Sequence, residues 1–167
     1  MQILLWILFE IILGFIPQAM GCAVLLFTFT KQPLRSKSFL ITSLIFSAVA
    51  IAVRLMVNYG LIEFGFHTIL NWLIFGIVAI AWNKFPVLQS TISIMLSGVL
   101  IVATELVVAA FFMLTLGGEK FDAVMNNTAT IEGQITRALY GIPMNILFVA
   151  VALLVYFLVK RKRAKKS

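Results

Sequence analysis

Four side chains in this sequence could do chemistry in an apolar setting: Glu10, Arg54, His67 and Glu105. The stretch "AVRLMV" puts the Arg54 guanidinium into a run of hydrocarbon side chains, and "EFGFHTI" follows with the only histidine, His67. An arginine surrounded by hydrocarbon is costly unless it is paired, hydrated or able to reach the interface, so a carboxylate from a neighbouring helix is the expected partner. Such a group can serve as a ligand site or as an intramembrane proton or ion relay, and it can equally be structural glue. His67 is read either as an interfacial hydrogen-bonder or as a pH-sensitive or ligand-contacting group. No other chemistry has a signature. The chain lacks a glycine loop that would cradle phosphate, a cysteine or histidine cluster, and a serine, histidine and aspartate set that can be placed. Cys22 is the single cysteine, lies in an apolar run and reads as a small packing residue. No enzyme activity, cofactor or metal is expected.

Helices must position these groups, because 62% of the 167 residues are hydrophobic and only 11% are charged. With a mean hydropathy of +1.10, that much apolar surface does not fit inside one water-soluble core. Apolar stretches of about 20 residues, the length that crosses roughly 30 Å of hydrocarbon, recur along the chain. The pattern predicts an all-α polytopic membrane protein with five transmembrane helices, at 3–30, 39–62, 68–82, 87–116 and 139–159. The start "MQILLWILFEIILGF" has no early lysine or arginine, so it reads as a retained first helix and not as a signal peptide. Gly14 and Pro17 predict a tilt or kink in this overlong first span. Between 117 and 138 lies the one sizeable hydrophilic stretch, read either as an interfacial amphipathic helix or as a solvated loop. Residues 160–167 form a basic tail, and no repeat or second domain is evident.

Orientation follows from the lysines and arginines flanking each span. Lys31, Arg35, Lys37, Lys84 and six residues of the tail "KRKRAKK" fall on one side, and only Lys120 and Arg137 on the other. The amino terminus is therefore expected outside and the tail in the cytoplasm, with 117–138 extracellular. The tail reads as a stop signal that attracts anionic lipid, not as a nucleic-acid-binding segment.

On span two, Ser43, Ser47, Ala50, Arg54 and Asn58 step by three or four and share a face, where other helices are expected to pack. Helical side chains lean toward their own amino terminus, so Arg54 leans toward the membrane centre and does not snorkel easily. Counted from the cytoplasmic ends of their spans, Arg54 and Glu105 lie within roughly 5 Å of the same depth, which makes Glu105 the favoured partner. Glu10, on a face with Gly14, Pro17, Gln18 and Gly21, is the second candidate. Glu105 is in seven-residue register with Thr91 and Gly98, a face whose small residues admit a close neighbour. Trp72 and Trp82 read as interface anchors. Pro143 and Asn145 either loosen span five and turn an amide toward the bundle interior or simply mark the start of the helix.

Several of these features recur together. The early glutamate of span one, the break "KQPLRSK", the arginine late in span two, "FGFHTI" opening span three, the glutamate within span four and "RALYGIP" before span five resemble the multi-pass amino-terminal region of clostridial sensor histidine kinases related to the sporulation and Agr-type kinases. In that family the last membrane helix continues into a cytoplasmic dimerisation segment and an ATP-binding domain. Here the chain ends at Ser167, so the resemblance implies a sensor-like module without its catalytic output domain. It supplies neither a ligand nor binding residues.

The expected function is a signalling or ligand-sensing module of the bacterial plasma membrane. In it Glu10, Arg54, His67 and Glu105 line a polar pocket or form a bistable ion pair, and a helix movement passes to a membrane or cytoplasmic partner. The alternative is a small-solute transport or substrate-capture subunit, and the second alternative a structural assembly factor. Homo-oligomerisation stays open at this stage.

Overall fold

The computed structural model describes residues 9–58, 61, 66–126 and 130–165, and all regular structure among them is helical. A π-helical segment, Phe9–Phe15, runs into α1, Ile16–Phe29. Then come α2, Lys37–Asn58, and α3, Phe66–Ile77, which continues as a second π-helical segment, Val78–Trp82. The chain is completed by α4, Val87–Leu116, the short α5, Gly118–Asn126, and α6, Ile131–Ala164.

Four stretches are long and apolar enough to cross a membrane: Ile12–Phe29, Lys37–Val57, Val87–Leu116 and Leu139–Ala164. The third expected span corresponds to a shorter apolar helix, Thr68–Trp82. Large apolar side chains cover the outside, among them Leu88, Val99, Leu106 and Leu114, the last 87% exposed. An apolar coat on this scale is stable in hydrocarbon and not in water.

Local chemistry sets the helix ends. Proline at position 17 lacks an N–H, so it cannot bond the carbonyl of Leu13 four residues back, and the regular α-helix begins only at Ile16. Beyond Thr30, Lys31 turns left-handed at φ 61°, which lets the N–H of Gln32 reach the Phe27 carbonyl at 2.9 Å and close the helix. Pro86 precedes the first residue of α4, and Gly117, at φ 86°, ends that helix. Within 117–138 the chain forms α5 and then starts α6, whose first turn is capped by the Thr130 hydroxyl accepting from the Gly133 N–H at 3.1 Å. Pro143 lies inside α6 and does not mark its start.

Helix α1 is the hub of the bundle: it packs on α2, α4 and α6, while α3 lies between α2 and α4. Leu25, Leu26 and Phe27 of α1 are almost completely buried. The ring of Phe27 meets Phe39 and Phe85 edge-on, with centroids 5.3 and 5.2 Å away. Phe46 of α2 stacks on Phe75 of α3 at 4.0 Å. Of the expected packing face of α2, Ser43, Ser47 and Ala50 are buried and Arg54 is half-buried, while the side chain of Asn58 falls outside the described residues. On α4 the buried face carries Ser90, Ser93, Ser97 and Thr104, small side chains that let α4 lie close to α1. Most of the buried hydroxyls bond carbonyls of their own helix, as Ser43 does to Phe39, Ser47 to Ser43 and Ser97 to Ser93, so they need no water.

One end of the bundle is tied by polar contacts. Asn83 accepts from the Ser38 hydroxyl at 2.7 Å and donates to Thr42 Oγ1 at 3.0 Å. Arg163 Nη2 donates to the Thr28 carbonyl at 2.8 Å. These contacts gather Lys31, Lys37, Lys84 and the basic end of α6 at the same end of the molecule.

Candidate functional site

The helices leave a cavity of about 530 Å³ toward the other end of the bundle. Every helix contributes to its wall, and most of the polar groups come from four of them: Gln18 of α1, Arg54 of α2, Thr68 and Asn71 of α3, and Thr104 and Glu105 of α4. Asn145 adds an amide from α6, and Met125 of α5 borders one side. Phe15, Trp72, Phe75 and Phe148 supply flat apolar surface. An apolar cavity carrying a few convergent polar groups is the usual form of a small-molecule site, and this volume falls within the roughly 300–1,000 Å³ range of such sites.

Backbone placement explains how each wall is built. Gly98 on α4 receives the indole of Trp72 in the space a side chain would fill: an added Cβ would come within 2.6 Å of Cη2. This slot turns Trp72 inward, so it lines the cavity instead of anchoring an interface, while Trp82 is exposed. Gly21 on α1 similarly admits the ring of Phe148, which is 1% exposed and forms the inner wall. Asn145 Nδ2 donates at 3.2 Å to the Leu13 carbonyl, the oxygen that Pro17 cannot serve. Phe112 packs edge-on against Tyr140 at 4.7 Å and stacks with Phe121, which seats α5 against α4 and α6.

The structure brings two of the four expected site residues, Arg54 and Glu105, to this one cavity. Arg54 is half-buried and engaged in an interaction of its own. Among the described residues no salt bridge joins it to Glu105, and their helices are not packed on each other. The backbones of Glu10 and His67 lie in the Phe9–Phe15 segment and in the first turn of α3, while their side chains fall outside the described residues. Gln18 and Gly14, on the face assigned with Glu10, do line the cavity.

Sequence reading missed Asn71, Thr104 and the inward position of Trp72. Thr104 continues the three- and four-residue steps of Ser90, Ser93 and Ser97, a signal present in the sequence. Asn71 had none, because one amide in the short apolar α3 does not reveal its neighbours. Its Oδ1 is buried without a hydrogen-bond partner among the described residues.

The fold defines an all-helical bundle with four helices of membrane-crossing length and apolarity around a polar-lined cavity. Comparison of the chain with protein-family models, with curated proteins and with solved structures finds no match. Within the described residues, no group of three or more histidine, cysteine, aspartate or glutamate side chains could hold a metal ion.

Proposed function

We propose that this chain is a multi-pass module of the cell membrane that binds a small ligand in the cavity and reports its presence through helix movement. The observation that carries this reading is a cavity of about 530 Å³ walled by every helix, with Arg54 and Glu105 on its surface. A ligand touching all the helices at once changes their relative stability, which is what a sensor requires. In this reading Thr68–Trp82 is the fifth span. The amino terminus lies outside, and the end carrying Lys31, Lys37, Lys84 and Arg163 faces the cytoplasm and its anionic lipid. The resemblance to histidine-kinase sensor regions favours sensing, with the output passed to a partner protein.

Small-solute capture for transport is the second reading, favoured by the cavity's volume and its mixed polar and apolar lining. Both readings require ligand retention. The test is native mass spectrometry of the full chain in lipid nanodiscs after exposure to a metabolite extract. Gly141→Phe serves as the filled-cavity control, because Gly141 lines the cavity and an added Cβ there meets nothing within 4 Å. A small molecule retained by the parent and not by Gly141→Phe is expected; identical spectra would overturn both readings. Uptake into sealed vesicles then separates capture for transport from sensing.

A further inference from the structure

We infer that a groove between α3 and α4, separate from the polar cavity, holds one acyl chain of an anionic phospholipid whose headgroup sits at Lys84. This rests on the membrane reading and not on a ligand in the cavity. The groove has a volume of about 550 Å³, and its lining is hydrocarbon apart from Thr91 and the indole of Trp72. Ile69, Leu73 and Ile77, spaced by four and each more than half exposed, form a row on its α3 side, and Ile94 and Met95 line the α4 side. Gly76 leaves the space between them open, since an added Cβ would meet only Ile94 Cδ1, at 3.7 Å. Ile69 and Ala81, at the two ends of the α3 side, are about 18 Å apart along the helix at 1.5 Å per residue. That is close to half of the roughly 30 Å hydrocarbon thickness, the depth of one leaflet. Spread over this length, the volume gives a cross-section of about 30 Å², far below the roughly 80 Å² of a helix 10–12 Å across. An extended hydrocarbon chain fits the groove, and a helix from a second copy does not.

Charge selects the headgroup. The groove ends where residues 83–86 join its two sides, and Lys84 is exposed in that connection. Trp82, 63% exposed, stands at the same level as an interfacial aromatic. Ser38 and Thr42 bond the side chain of Asn83, so Lys84 projects from an anchored backbone. No acidic residue occurs in 29–40, 82–90 or 156–167, the segments gathered at this end, so the chain itself supplies no counter-charge there. A headgroup with net negative charge supplies one, whereas a zwitterionic headgroup brings its own cation.

The experiment is native mass spectrometry of the full chain released from nanodiscs that hold equal amounts of phosphatidylglycerol, phosphatidylethanolamine and phosphatidylcholine with identical acyl chains. One retained phospholipid is expected, with phosphatidylglycerol favoured about fivefold over either zwitterionic lipid, the effect of about 1 kcal/mol for one lysine. Lys84→Asn, a residue type that tolerates the left-handed backbone at this position, should abolish the preference while leaving a lipid bound. Lys165→Gln makes the same charge change in the basic tail and should leave the preference intact. Gly76→Leu places a side chain in the groove and should lose the lipid; Ala81→Leu, at an exposed position of the same lining, does so independently should the first variant fail to fold. Equal retention of the three headgroups, unchanged retention by both groove-filling variants, or a dimer in place of the lipid would each overturn the inference. None of these outcomes bears on the cavity, whose ligand is read out with Gly141→Phe.

Discussion

Asn145 of α6 donates its side-chain N–H to the carbonyl of Leu13, 132 residues earlier, at 3.2 Å. The carbonyl needs this partner because Pro17, four residues on, has no N–H to offer. In an apolar medium an orphaned carbonyl is costly, so one long-range bond repairs the break in the first helix and ties it to the last.

Asn145→Leu is therefore expected to destabilise the bundle by about 1–3 kcal/mol, read as a shift of the unfolding midpoint in detergent. Pro17→Ala returns a backbone donor for Leu13, so the double variant should lose less than the sum of the single changes. Strict additivity in that cycle would show that the two residues do not serve the same carbonyl.

At Gly98 the indole of Trp72 fills the place of a side chain, whereas at Gly76 an added Cβ meets only Ile94 Cδ1 at 3.7 Å. Gly98→Ala should cost about 1–3 kcal/mol through overpacking. Because it pushes Trp72 toward the cavity, it should also change the emission of that tryptophan in a background where Trp6 and Trp82 are replaced by phenylalanine. Gly76→Ala should be neutral or stabilising by up to about 1 kcal/mol, from helix propensity. Equal effects at the two glycines would remove the slot as the cause of the inward turn.

Lys31 and Lys84 hold left-handed backbone, at φ 61° and 53°, where residues with a Cβ pay about 1 kcal/mol or more. Lys31→Gly and Lys84→Gly should each raise stability by about 0.5–1 kcal/mol in thermal unfolding, the gain being reduced by the freer unfolded chain. Both lysines belong to the flank that sets orientation, but either change leaves nine basic residues there against two on the other side, so the threading should not change.

Reporter fusions after Gln2, Gly118 and Ser167 test that threading. Activity of a periplasm-dependent reporter is expected at Gln2 and Gly118, and activity of a cytoplasm-dependent one at Ser167. Gln2 and Ser167 reporting the same side would require an even number of crossings and would remove the short Thr68–Trp82 helix from the set of spans.

The sequence alone determined the helical class, the approximate position of each apolar helix and the buried face of α2 around Ser43, Ser47 and Ala50. These are local properties: hydropathy over a span's length and a step of three or four residues both depend on neighbours in the chain. It also named Arg54 and Glu105, since a charge in an apolar run is conspicuous wherever the run folds. The tertiary structure alone decided that these two share a cavity, that Gly98 turns Trp72 inward and that Asn145 completes the carbonyl left by Pro17. It also decided that Asn71 belongs to the site. Each of these depends on which helices become neighbours, and that is chosen by the fit of rings and small residues across the bundle, with no counterpart in the order of residues along any one helix.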